Sequence, residues 1–161
     1  MNHDVIEAQE HFTAEYAKAV AKYQGLPSLE VLDKEFDIVE VIGREKHFPR
    51  NALRYTRWFL SRFLDGWVGY LHQFILPNQY SAISMEEYNH FSEKEKEGII
   101  SLMNWLMYQQ RYANTIQLDE NDDETAKFIT QLFAGWLERK HFFKTILEKN
   151  RDVWQKKAEK K

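Results

Sequence analysis

Apolar residues recur along this chain at alternating steps of three and four, the spacing that lines one side of an α-helix. Val5, Phe12, Tyr16, Ala19 and Tyr23 form one such stripe. It predicts a first helix from about Asp4 to Tyr23, stopped by Gly25 and Pro27. Ser28 caps a second segment, in which Leu29, Leu32, Phe36 and Val39 repeat the period before Gly43 ends it. Within that segment FDIVEVI also alternates like a strand. A strand there has no partner elsewhere in the chain, so the segment reads as helix. Pro49 suits the first turn of a third helix running from about Arg50 to Leu76 and closed by Pro77 and Asn78.

Ser84 with Glu87 and Ser92 with Glu95 have capping-box spacing. They predict a short helix over residues 84–90 and a fourth long helix reaching about Gln117. The acidic run from Asp119 to Glu124 belongs at the start of a fifth helix, where unpaired N–H groups and the helix dipole favour negative charge. That helix continues into a lysine-rich end. The expected fold is all-α: a mainly antiparallel bundle of four long helices with one or two shorter helical segments. A single domain is expected over residues 1–161, its basic end fraying from about residue 155.

Composition narrows the function classes. The absence of cysteine excludes disulfides, thiolate zinc sites and cysteine nucleophiles. A net charge of -3 gives no global drive toward nucleic acid or an anionic membrane. The polar, acidic start MNHDVIEAQEHF is neither a signal nor a transit peptide, and a cytoplasmic protein is expected. The most apolar run, Trp58 to Leu76, is interrupted by Arg62, Asp65 and His72, which argues against a membrane span.

The third helix concentrates the polar chemistry. Arg50, Arg54, Arg57, Ser61, Asp65 and His72 fall within a wheel sector of roughly 80°. Ser61, Asp65 and His72 are the residue types of a hydrolase triad, but a rise of 1.5 Å per residue puts Ser61 about 16 Å from His72 along the axis. The stripe reads first as a solvated edge whose arginines pair with Glu30, Asp33, Glu35, Asp37 and Glu40. A second reading makes it a ligand or anion surface: Arg44 to Arg62 holds six Lys/Arg against one acid, with Tyr55 and Trp58 interleaved. Lys144 to Lys161 is a second basic region.

Two Glu-x-x-His pairs, Glu87/His90 and Glu138/His141, have the spacing used by di-metal bundles. The wheel places Glu138 and His141 in solvent, and Glu87 and His90 on a capped turn outside the core. Glu7 and His11, one turn apart, read as a surface ion pair. Asp119, Asn121 and Asp123 resemble a calcium loop, but Glu124 stands at its glycine position and Thr130 at its final acid, which rejects it.

The function that best fits these features is a non-catalytic helical interaction module, self-associating as a homodimer through an aromatic-rich helix face. Phe59, Leu60, Phe63, Leu64, Trp67, Val68, Tyr70, Leu71, Phe74 and Ile75 give the third helix more apolar arc than one bundle face needs. Trp58 points away from that arc and is the interface candidate. The partner is a second copy or another protein, with no cofactor and no membrane. Nucleic acid or another polyanion on Arg50, Arg54 and Arg57 is the alternative, and a metal-dependent enzyme using His11, His72, His90 and His141 the third.

Overall fold

Four long helices carry the chain, as the sequence predicts. The structure is a computed structural model and describes residues 3–46 and 48–159. Those residues form seven helices and no strand: α1 (His3–Lys22), α2 (Leu29–Phe36), α3 (Ile38–Glu45), α4 (Ala52–His72), α5 (Ala82–Asn89), α6 (Glu93–Asp119) and α7 (Asp122–Ala158). The fold is therefore all-α, with three short helices rather than one or two. Among the described residues no helix is long and apolar enough to cross a membrane.

The second segment is two helices. Asp37 takes a left-handed conformation (φ 54°) and donates its N–H to the Asp33 carbonyl, closing α2. The Asp33 side chain then accepts from the Val39 N–H at 2.7 Å and caps α3. Gly43 does not end this segment. It lies inside α3, buried against α1, where an added Cβ would meet Gln9 Nε2 at 2.6 Å and Val5 Cγ1 at 3.0 Å. The missing side chain lets α1 and α3 approach closely, and α3 ends instead at Lys46, in the left-handed region.

Helix starts follow capping chemistry. Pro49 lies ahead of α4, and Asn51 is the residue that caps it, its Oδ1 accepting from the Arg54 N–H at 3.0 Å. Helix α5 is capped by Ser81, whose hydroxyl accepts from the Ser84 N–H. Ser84 therefore does not act as the expected cap. The second box forms as expected: Ser92 Oγ accepts from the Glu95 N–H while Glu95 Oε2 accepts from the Ser92 N–H. Asn121 Oδ1 accepts from the N–H groups of Asp123 and Glu124 and opens α7. That helix continues through Ala158; Lys160 and Lys161, at the end expected to fray, lie outside the described residues.

The chain packs as two compact units, one of residues up to Arg62 with Arg111–Ala134, the other of Phe63–Gln110 with Gly135 onward. In the first, Phe12, Tyr16, Leu32, Ile38, Ile42, Leu60, Phe128 and Ile129 are fully buried, and the Phe12 ring meets Tyr55 edge-on at 5.8 Å. In the second, Leu64, Leu71, Phe74, Ile99 and Leu106 are fully buried. Around them Trp136 contacts Phe63 and Phe143 at 5.2 Å each, and Trp67 contacts Phe143 at 5.1 Å. Burying each such side chain contributes roughly 1.5–3 kcal/mol against leaving it in water.

Candidate functional site

The arginine stripe of α4 does not present three free guanidinium groups. Arg54 Nε donates to Asp122 Oδ1 at 2.8 Å, its Nη1 pairs with the Glu120 carboxylate, and its Nη2 donates to the Glu120 carbonyl at 2.9 Å. Its partners are the acids that open α7, not those of α2 and α3. Arg57 is buried, with 7% of its surface exposed, and its Nη1 meets no hydrogen-bond partner. Burial first, then the charge of Arg54, pushes the Arg57 pKa below the usual arginine value. Arg50 alone is open, on the stretch before α4. Ser61 is half-buried, while Asp65 and His72 are exposed.

Trp58 is 39% exposed, in keeping with its place on the wheel. It is not bare: the Arg62 guanidinium stands over its ring at 5.0 Å and the Tyr55 ring lies 5.3 Å away. The phenol of Tyr55 is pushed up to about 12 by burial and by the Glu45 carboxylate that accepts its hydrogen bond. The surplus apolar arc of α4 turns largely inward. Phe63 and Trp67 belong to the ring cluster with Trp136 and Phe143, and Leu64, Leu71 and Phe74 are fully buried. Gly66 and Gly69 have nothing within 4 Å of an added Cβ, so neither serves a close helix approach.

No group of three or more histidines and carboxylates among the described residues is placed to hold a metal ion. His11 leaves Glu7 to His3 and instead bonds the Pro49 carbonyl at 3.3 Å, its ring against Phe48. Glu138 and His141 are exposed, as the wheel predicts. Glu87 departs from expectation: it is buried, not on an outer turn. Its Oε1 accepts from Asn150 Nδ2 at 3.0 Å and from Trp154 Nε1 at 2.9 Å, and Asn150 Nδ2 also reaches the Tyr70 hydroxyl at 3.2 Å. His90 Nδ1 is buried without a partner. This cluster fastens α5 to the end of α7.

The surface that the sequence reading overlooked is on α6. Ile100, Ser101, Asn104, Met107 and Tyr108 are exposed and span an arc of roughly 120° at 100° per residue. Ile100 is 43% exposed, Met107 38% and Tyr108 60%, although each is a side chain that burial favours. From Gly98 to Leu118 the one charged residue is Arg111, in a chain that is 29% charged. That charge-poor run is legible in the sequence; which side of it faces out is not. No protein-family model, curated protein or solved structure matches the chain.

Proposed function

We propose that this chain is a non-catalytic interaction module that self-associates through the outer face of α6. The observation that carries the reading is an exposed helix face holding Ile100, Met107 and Tyr108 with no charge between Gly98 and Gln110. Interface centres are depleted of charge and enriched in methionine and aromatic residues, whereas a solvated helix face normally carries lysine and glutamate. A second copy suits such a patch. Two-fold pairing sets a surface against itself, where like charges would repel, and the helix run from Gly98 to Gln110 carries none to repel. The support comes from α6 rather than from the aromatic arc of α4, since Leu60, Leu64, Leu71 and Phe74 of that arc are fully buried and Phe63 and Trp67 lie in the ring cluster. Trp58 keeps a smaller claim as an interface residue, because Arg62 and Tyr55 already cover part of its ring.

Sedimentation velocity over a wide concentration range tests this. The expected result is a dimer that dissociates on dilution and is lost in Met107→Glu and Ile100→Glu, with far-UV circular dichroism unchanged. A protein that stays monomeric at the highest attainable concentration overturns the proposal, as does a dimer that both substitutions leave intact.

A further inference from the structure

The outer face of α6 is symmetric in its charge pattern. The helix spans Glu93–Asp119, and within it the run from Gly98 to Gln110 holds no charge. Asn104 is the middle residue of that run and is exposed. Glu97 closes the run at one end and Arg111 at the other, each seven residues from Asn104 and both exposed. Seven residues make two turns, so at about 100° per residue both side chains leave the helix within about 20° of the Asn104 direction. Ile100 and Ser101 before Asn104, and Met107 and Tyr108 after it, flank that line by about 40–60°. All four are exposed. Steps of three and four along one face are the seam that lets two helices pack side by side.

A two-fold axis beside Asn104 relates two antiparallel copies of α6 so that residues equally far before and after Asn104 stand at one level. Ile100 is then level with the partner's Tyr108 and beside the partner's Met107, so each exposed apolar side chain of the run meets another. Glu97 is level with the partner's Arg111, about 10 Å along the axis from the centre, and opposite charges meet at both ends. Elsewhere on α6 this register sets no charge against a charge: Lys94 falls opposite Asn114, and Glu93 opposite Thr115. Other arrangements fare worse. A parallel pair sets Glu97 against Glu97 and Arg111 against Arg111, and like charges at an interface select against it. Moving the antiparallel axis by one turn brings Glu97 or Arg111 level with Asn104, and leaves Tyr108 facing Glu93 or Ile100 facing Thr115.

We infer that two copies of the chain pair antiparallel along α6 about an axis at Asn104, with Glu97 and the partner's Arg111 fixing the direction; this rests on the reading that α6 is the self-association surface. Asn104 and the partner's Asn104 meet at the crossing. Each amide carries both donors and an acceptor, so the two satisfy one another only when they stand level. A single asparagine in an otherwise apolar seam sets register in this way, at some cost in stability. The ion pairs lie at the rim, where they select orientation more than they add strength. Ile100, Met107 and Tyr108 supply the affinity; Glu97, Asn104 and Arg111 supply the choice of partner geometry.

The chain has no cysteine, so an introduced thiol reports its own neighbours. Under mild oxidation Asn104→Cys should couple to itself. Ile100→Cys should couple to Met107→Cys when the two proteins are mixed, but not to itself. A disulfide needs Cα atoms about 4.4–6.8 Å apart, whereas the two copies of residue 100 stand about 12 Å apart along the axis. Glu97→Arg and Arg111→Glu should each weaken the dimer about tenfold in sedimentation velocity, since each turns two attractive pairs into repulsive ones. The chain carrying both should recover most of that loss. Self-coupling of Ile100→Cys, or a double reversal no stronger than the single ones, overturns this register while leaving self-association in place. So does a dimer that Met107→Glu abolishes but neither thiol experiment traps. A parent chain that forms no dimer at any concentration removes the register together with the reading beneath it.

Discussion

Gly135 of α7 lies against the indole of Trp105 on α6, so close that an added Cβ would stand 2.7 Å from Cζ2 of the ring. A tryptophan ring cannot yield by the bending of a flexible end, so Gly135→Ala must move the indole or the backbone. It is expected to destabilise the protein by about 1–3 kcal/mol, as overpacking does. Gly66 and Gly69 give the opposite expectation. Nothing surrounds them, and each weakens α4 relative to alanine, so Gly66→Ala and Gly69→Ala should stabilise by up to about 1 kcal/mol each. Urea unfolding midpoints separate the two cases; equal effects at Gly135 and Gly66 would contradict the packing described.

The contrast shows what sequence pattern can and cannot supply. Periodicity, the Ser92/Glu95 capping box and the acidic run from Asp119 to Glu124 located the four long helices, because each is a signal local to its segment. The break at Asp37 escaped them, since the decisive cap comes from a side chain, Asp33, that has no distinctive spacing. Arg54 was legible as polar and exposed, but its partners are more than sixty residues away on another helix. Glu87 was misplaced for the same reason: its donors are Asn150 and Trp154. A wheel gives the direction of a side chain from its own axis. It does not say which neighbouring helix stands there, and both the burial of Arg57 and the inward turn of the α4 arc depend on that neighbour.

Arg57 offers a direct test of burial without pairing. A buried ion whose Nη1 meets no partner gives little back for its lost hydration. Arg57→Met keeps much of the side-chain volume and removes the charge. It is expected to leave stability unchanged or to raise it by about 1–4 kcal/mol, the range seen when buried ions give way to packed hydrophobes. A loss of more than about 1 kcal/mol in the urea midpoint would mean that the guanidinium makes bonds this geometry lacks.

Glu95 sets an acid limit. The Lys149 ammonium, which bonds both carboxylate oxygens at 2.6 Å, is the largest influence on it; the Ser92 N–H and hydroxyl act in the same direction, and partial burial opposes them. Together they lower its pKa from the ordinary 4.5 to about 2. A depressed folded-state pKa means that the unfolded chain takes up the proton first as acid is added. The contribution of Glu95 is therefore complete above about pH 4.5 and is lost as the pH falls toward 2. Glu95→Gln should narrow its stability deficit against the parent across that window. A deficit that stays constant from neutrality down to about pH 2 would refute the assignment.

The buried carboxylate of Glu87 decides whether α5 stays fastened to α7. One oxygen, Oε1, serves both Asn150 Nδ2 and Trp154 Nε1, so its loss leaves the indole N–H unpaired and Asn150 Nδ2 with the Tyr70 hydroxyl alone. Glu87→Ala is expected to cost about 1–3 kcal/mol, the cost of leaving one donor without its acceptor. Glu87→Gln retains an amide oxygen at the same reach and should cost less, because a neutral acceptor weakens these bonds without abolishing them. Trp154→Phe removes one stranded donor, so in the Glu87→Ala background it should do less harm than in the parent. A double-mutant cycle in urea reads that coupling directly. Additive losses from Glu87→Ala and Trp154→Phe would show that the indole N–H does not depend on Glu87, and that α5 is held by its apolar contacts alone.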